Sequence, residues 1–456
     1  MRSALLLFGL LALATTSLRA RPCRIEIVEA DGWPVPGVEL RTVHGVRLVS
    51  DNAGLIACDL PELMGRETWF GVHGHGYEVR ADGFGYRGVR LTPEPGKTIK
   101  VTVERTILAR RLGRLTGAGL FAEAQKLGEE PDWKESGVLG SDSVVTAEFG
   151  GRLHWFWGDT NLAHHPLGIF HVAAAMTDGF VPPARPPLRP SFEYVTETSK
   201  DGGRRPRGVA RLPGEGPTWL WGAVTLPDAQ GKPHLVAVAQ KVKGDMRAYR
   251  WDLVEWDAAA SSFHALRTIW SADEAHSTPP PLPEGHAVPW TDGEGRRWML
   301  FGNTFPTLRT PATYEGWRDP ANWTSLPAEN VATTTDGRRI RAHRGHVAWH
   351  PWSRKWLAVF TEHGGRPSAL GEIWLAEAAA PTGPWTDARK VLSHADYSFY
   401  NPVLHPEFFR EDSPVVHFEG TYTTTFSGNK QPTPRWDYNQ VLYQLDLSRP
   451  PFASGK

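Results

Sequence analysis

Net charge is absent from this sequence: 50 Lys and Arg stand against 50 Asp and Glu in 456 residues. Nucleic acids and anionic membrane surfaces are bound through a basic face that displaces counterions, so neither is expected as a partner. Long apolar runs are absent too. The N-terminal run Ala4–Ala14 falls short of the roughly 18 residues a membrane span requires. It follows a single Arg and leads to Leu18-Arg19-Ala20, which reads as a secretory signal over residues 1–20. A secreted or periplasmic location follows as an expectation, with no membrane partner beyond export. Cysteine is nearly absent, with only Cys23 and Cys58. An oxidising compartment would let them pair, and two separate thiols are the alternative. There is also no phosphate loop, no dinucleotide fingerprint, no zinc-ligand spacing and no nucleophile elbow.

What is abundant is tryptophan, 20 residues in all, which suits a large all-β core or stacking platforms for sugar rings. The length exceeds one ordinary core and predicts two or more domains. Residues 22–105 alternate in short runs (RIEIVEA, VELRTV, VRLVS, LIACDL, TIKVTVER) between turn signals such as DGWPVPG and DNAG, the pattern of a small β-sandwich. The stretch GWPVPGVELRTV, with VSDNAGLIACDL after it, resembles the carboxypeptidase-regulatory-like sandwich, which implies a structural or adhesive module without chemistry. His73 and His75 on one strand face are read as half-exposed side chains rather than a metal site. Residues 106–138, with a short helix at LFAEAQKLG, are expected to be a linker.

From 139 to 448 one pattern returns five times: a β-run after a polar residue, a turn, and an aromatic-rich run back. It occurs at SDSVVTAEFGGRLHWFWGD, EGPTWLWGAVTLPDAQGKPHLVAVAQ, GHAVPWTDGEGRRWMLFGN, GHVAWHPWSRKWLAVFTEH and YNPVLHPEFFREDSPVVHFEGTYTTTF. Five antiparallel units predict an all-β, five-bladed propeller behind the sandwich. In the first unit Gly150-Gly151 is the turn signal, since glycine admits the positive φ of a two-residue hairpin loop. Phe149 then pairs with Arg152, and counting outward sets Asp142 opposite Asp159. Opposed like charges destabilise a hairpin unless a proton, a cation or donors compensate. Two coupled carboxylates suit proton transfer. Alternatively, Asp159 caps the turn DTN through its own backbone.

These residues resemble the five-bladed propeller glycosidases, the arabinanase and β-xylosidase-like superfamily. The likeness rests on SDSVVTAEFGGRLHWF, with an acidic residue opening an innermost strand, and on Glu215-Gly216-Pro217. The resemblance implies glycoside hydrolysis, with Asp142 as general base, Glu215 as general acid and Asp159 tuning the acid or acting as partner. It implies a carbohydrate substrate and a monomer, and no cofactor, a structural cation at the propeller centre being left open. The pattern departs from the superfamily where the later blades open with His286, His346 and Asn401 in place of an aspartate. Those three are candidates for substrate binding; His286 and His346 sit where inner strands should converge on the axis, and His405 and His417 fall at or near strands of the later blades. Trp157, Trp219 and Tyr400 are stacking candidates, Glu419 and Glu372 are further carboxylates, and Arg207 with Arg211 could clamp an acidic sugar. Polysaccharide lyase chemistry through His and Tyr, and a non-catalytic carbohydrate-binding propeller, are the rival expectations.

Overall fold

Alternating runs and glycine turns translate into β-sheet along the whole of this computed structural model, which describes residues 21–200, 202–244, 246–273 and 278–452. The signal expected at residues 1–20 lies outside the described residues. Among the described residues no helix is long and apolar enough to cross a membrane.

The N-terminal part is a sandwich. One sheet orders Leu55–Cys58, Cys23–Val28 and Thr98–Thr102, and the other Arg47–Val49, Glu39–Thr42, Thr68–His73 and Gly88–Leu91. Period-2 alternation drives Cys23, Ile25 and Ile27 into the core while Arg24 and Glu26 stay half-buried. Cys23 stands directly across from Cys58 in the antiparallel register, and both are buried free thiols.

Five sheets then follow around an axis, each running outward from the strand that opens its unit. Blade 1 is Val144–Phe149, Arg152–Trp157, Ala173–Thr177 and Glu193–Tyr194; blade 2 is Thr218–Pro227, Pro233–Lys243, Arg247–Asp257 and Ser262–Ser271. Blade 3 is Val288–Thr291, Arg297–Phe301, Leu308–Pro311 and Thr324–Ser325. Blade 4 is Arg339–His350, Lys355–Glu362, Ile373–Ala378 and Thr386–Leu392, with Val331–Thr333 added at its inner edge. Blade 5 takes Ser398–Leu404, Val415–Thr423 and Asn439–Asp446 from the C-terminal end. The five expected returns are thus the inner two strands of the five blades.

The fourth strand of blade 5 corrects the expected linker. Arg110–Arg114, inside the 106–138 segment, pairs antiparallel with Asn439–Asp446 and supplies the outermost strand. Chain segments from opposite ends of the sequence therefore close the ring, and the outer edge of Asn439–Asp446 is covered. The short helix of that segment is Ala122–Lys126.

The sandwich is seated on blade 5 through Arg111, which is 1% exposed. Its guanidinium donates to the carbonyls of Pro36 (2.9 Å) and His75 (2.8 Å) from the sandwich side and to Tyr443 Oη (2.9 Å) from the blade. Neutral oxygens and aromatic faces, including Trp436 at 5.7 Å, satisfy the buried cation. His75 joins the same contact, 2.5 Å from Tyr422 Oη and 2.8 Å from Asp396 Oδ1.

Just past the inner strand of blade 5, His405 is completely buried between two carboxylates, Nδ1 2.8 Å from Glu407 and Nε2 2.9 Å from Glu419. Although burial opposes the charge, the two glutamates hold this imidazole protonated, pushing it up to about 10. The same imidazolium keeps Glu407 low against the pull of burial, and burial pushes Glu419 up.

Candidate active site

The hairpin of blade 1 keeps its count. Phe149 pairs with Arg152 and Val144 with Trp157, and beyond them Ser141 pairs with Thr160. Gly150 and Gly151, at φ 60° and 77°, form the turn that fixes this register. Asp142 accordingly faces Asp159. Its N–H donates to the Asp159 carbonyl (3.1 Å), and the Gly158 N–H donates to the Asp142 carbonyl (2.9 Å).

The ladder is kinked at this point by Ser143, at φ 38°. The kink folds the Asp142 side chain over Gly158, where Oδ1 fills the space a Cβ would take. Its other oxygen, Oδ2, accepts two phenols of blade 5, Tyr400 at 2.8 Å and Tyr438 at 3.0 Å. Asn401, at φ 50°, donates to Ser143 Oγ (2.6 Å) and braces the kink.

Asp159 is held more sparsely. The Trp219 side chain bonds it, and its Oδ1 is buried without a partner. Burial raises both carboxyls, Asp142 to about 7 and Asp159 to about 6, and the charge of Asp159 adds to the rise at Asp142. The hydrogen bonds from Tyr400 and Tyr438 act the other way at Asp142 without cancelling it. An acid and a base within reach of one another at near-neutral pH is what such a pair can provide.

Both carboxyls open into a cavity of about 730 Å³ at the mouth of the propeller. Its apolar wall includes Trp219, Trp221, Phe156 and Met246, with Phe426, 60% exposed, at the rim. Its polar wall holds His286 and Asn401 from the innermost segments of blades 3 and 5, and His343 and Arg344 from blade 4. Burial, with His346 alongside, pushes His286 well below the usual imidazole range, and burial with Arg344 brings His343 down to about 4. Both rings are neutral.

Of the residues singled out from the sequence, Asp142, Asp159, Trp219, His286, Tyr400 and Asn401 share this cavity, and Trp157 borders it. Trp157 is only 1% exposed and stacks on Trp155 and Tyr194, so it is core and not a sugar platform. Glu215 is a correction. It sits on an exposed turn between Gly214 and Gly216, both at positive φ, and is not among the residues lining the cavity. Arg207 is another, since its guanidinium is spent on the carbonyls of Ala260 (2.7 Å) and Ser261 (3.0 Å). His346 lies behind His286, ring centroids 4.5 Å apart, and bonds the Leu404 carbonyl at 3.0 Å. Glu419 belongs to the buried pair with His405, and Glu372 is buried against Lys390 at 2.7 Å. Among the described residues no group of three or more His, Cys, Asp or Glu is arranged to hold a metal ion.

Tyr438, Arg344 and His343 escaped the sequence reading, as did Glu284. This last carboxyl, two residues before His286, is half-buried and raised by its burial, with the Arg344 charge and a hydrogen bond from Asn303 opposing the rise. The one available signal was its Glu-Gly pair at the opening of blade 3, the same dipeptide that drew attention to Glu215 in blade 2.

No family model matches the chain, and no curated protein does. Among solved structures its likeness is to GH43 propellers. An exo-1,5-α-L-arabinanase from a bovine ruminal metagenomic library aligns at TM-score 0.40 and 10% identity, over 68% of this chain and 94% of the other. The GH43_1 enzyme from Xanthomonas citri, crystallised with xylotriose, aligns at 0.39 and 10%, over 67% and 86%. An exo-β-1,3-galactanase from Phanerochaete chrysosporium aligns at 0.38 and 8%, over 68% and 61%. Likeness at this level carries no information about the reaction.

Proposed function

We propose that the cavity hydrolyses glycosidic bonds, with Asp142 and Asp159 as its acid and base. One observation carries this reading: two carboxyls with separated, raised proton affinities face the same aromatic-walled cavity. A binding site gains nothing from like charges forced together, whereas glycoside hydrolysis uses one carboxyl to protonate the leaving oxygen and the other to activate water or attack the sugar carbon. Asp142, its Oδ2 engaged by two phenols, is the better-positioned of the two. Glu215 has no part in it. With residues 1–20 read as an export signal, the enzyme works as a monomer outside the cytoplasm on a polymeric or oligomeric carbohydrate.

A panel of plant, algal and bacterial polysaccharides tests this, with new reducing ends and ultraviolet absorbance read on the same samples. Reducing ends without absorbance are expected. Asp142→Asn and Asp159→Asn should each lower turnover by about 10²–10⁴-fold, while Glu215→Gln keeps it. Full turnover by a folded Asp142→Asn protein would overturn the assignment. The phenols on Asp142 and the guanidinium of Arg344 in the same cavity favour, as a second reading, a lyase acting beside a uronate. Absorbance rising together with the reducing ends would establish that chemistry instead.

A further inference from the structure

Arg344 is held in the protein by stacking rather than by hydrogen bonds. It occupies the strand Arg339–His350, whose pairing with Lys355–Glu362 shifts register between Ala342 and Gly345. The bulge takes residues 343 and 344 out of the ladder and turns both to the cavity wall. Gly345 makes the bulge feasible, because its backbone lies so close to the Val359 carbonyl that a Cβ has no room. The guanidinium reaches the Trp221 indole, 4.9 Å from its centroid, and bridges blade 4 to blade 2 across the mouth. Burial weakens its hold on the proton, and the Glu284 charge only partly offsets this. Among the described residues it forms no ion pair and donates to no oxygen. The neutral imidazoles beside it supply no second cation.

A half-buried guanidinium, stacked on one face and with its N–H edge open to the cavity, is placed to pair with a ligand rather than with the protein. Arginine forks match planar oxyanions in two-point fashion. We infer that the cavity takes an acidic glycan, with Arg344 pairing with the carboxylate of a uronosyl residue that stacks against the tryptophan wall. This rests on the carbohydrate reading of the cavity but not on hydrolysis, so the two can fail separately. An oxyanion could equally be a sulfate ester on the sugar, which presents the same chemistry to the fork.

The test is binding of small probes to the full chain by titration calorimetry: D-galacturonate and D-glucuronate, their methyl esters, and galactose 6-sulfate. Esterification removes the charge and leaves the ring. At least one acid is expected to bind about ten- to a hundred-fold more tightly than its ester, the range of a hydrogen bond to a charged group. Arg344→Gln should abolish that ratio, and Arg344→Lys should restore part of it. Sulfate-ester binding that exceeds both uronates supports the anion site and names the ester as its source. Equal affinity of acids and esters for the wild-type protein, with no tighter sulfate, overturns the inference whether or not the variants fold. Turnover on neutral polymers alone, unaffected by Arg344→Gln, overturns it and leaves the hydrolase intact. An acid-to-ester ratio without turnover on any polysaccharide supports it and removes the hydrolase.

Discussion

Gly158 shows how narrowly the site is set at single residues. Nothing about its backbone calls for glycine, since its φ is not in the left-handed region. The requirement comes from Asp142, whose Oδ1 sits where a side chain would begin. Gly158→Ala should therefore push the carboxylate off Tyr400 and Tyr438. The expected loss of turnover is about a hundred-fold, the penalty for displacing a reacting group by an ångström, with the overpacked hairpin destabilised by about 1–3 kcal/mol. A Gly158→Ala protein with more than half the wild-type rate would disprove this picture of the hairpin. Proton affinities give a second test at this scale. The pair titrates with apparent values of about 7 and about 6, so the singly protonated form is most populated between them. Turnover should trace a narrow bell there. Both values lie above the ordinary 3.8, so the folded state binds more protons than the unfolded chain in the window from 3.8 to about 7. The pair's contribution to stability must then fall as pH rises through that window. Asp142→Asn, which keeps an oxygen for the two phenols, should flatten this slope in pH-dependent melting while abolishing activity.

At the scale of elements, what was legible in the sequence depended on local patterning. The register of the blade 1 hairpin could be counted because two glycines marked its turn and no net insertion followed. The five returns were visible because each inner pair alternates around its own turn. Glu215 misled for an equally local reason. Its Glu-Gly-Pro motif opens a blade, yet Gly214 and Gly216 turn the carboxyl to solvent, where Tyr249 Oη donates only to the Glu215 carbonyl at 2.8 Å. Arg344 was invisible because a bulge, which no periodicity announces, decides where it points. Tyr438 was invisible because it reaches Asp142 from 296 residues away. The histidines of the later blades have unlike duties: His286 faces the cavity, while His405 locks Ser398–Leu404 to Val415–Thr423 through Glu419. Its raised folded-state value, about 10 against 6.5, gives stability that is fully present below pH 6.5 and is lost as pH climbs towards 10. His405→Gln strands two buried carboxyls and should cost about 3–5 kcal/mol. Denaturant melts of wild type and variant at pH 7 and pH 10 check both points, since their difference should shrink at the higher pH.

For the whole molecule, the decisive feature is that the propeller does not begin where its first blade does. Arg110–Arg114 reads as a connector because arginines at three of five positions suit a solvated run better than a buried strand. In the fold, Arg111 and Arg114 are both nearly inaccessible, sustained by carbonyl and phenol oxygens, with Arg114 donating to the Ala118 carbonyl at 3.1 Å and the Gly119 carbonyl at 3.0 Å. The last blade thus cannot be completed until the first structured part of the chain and its final strand meet. A chain starting at Val138 has every residue of the cavity and all five inner strands, but it exposes the outer edge of Asn439–Asp446 and the apolar seat of the sandwich. It should aggregate or melt without a single cooperative transition, as an open edge beside an uncovered apolar face predicts. Supplying residues 21–137 in trans during refolding should recover soluble material, because the closing strand and Arg111 return together. Were the shortened chain to melt cooperatively within about 1 °C of the full one, a shift worth about 1 kcal/mol or less, the strand would be an ornament of the ring rather than its closure.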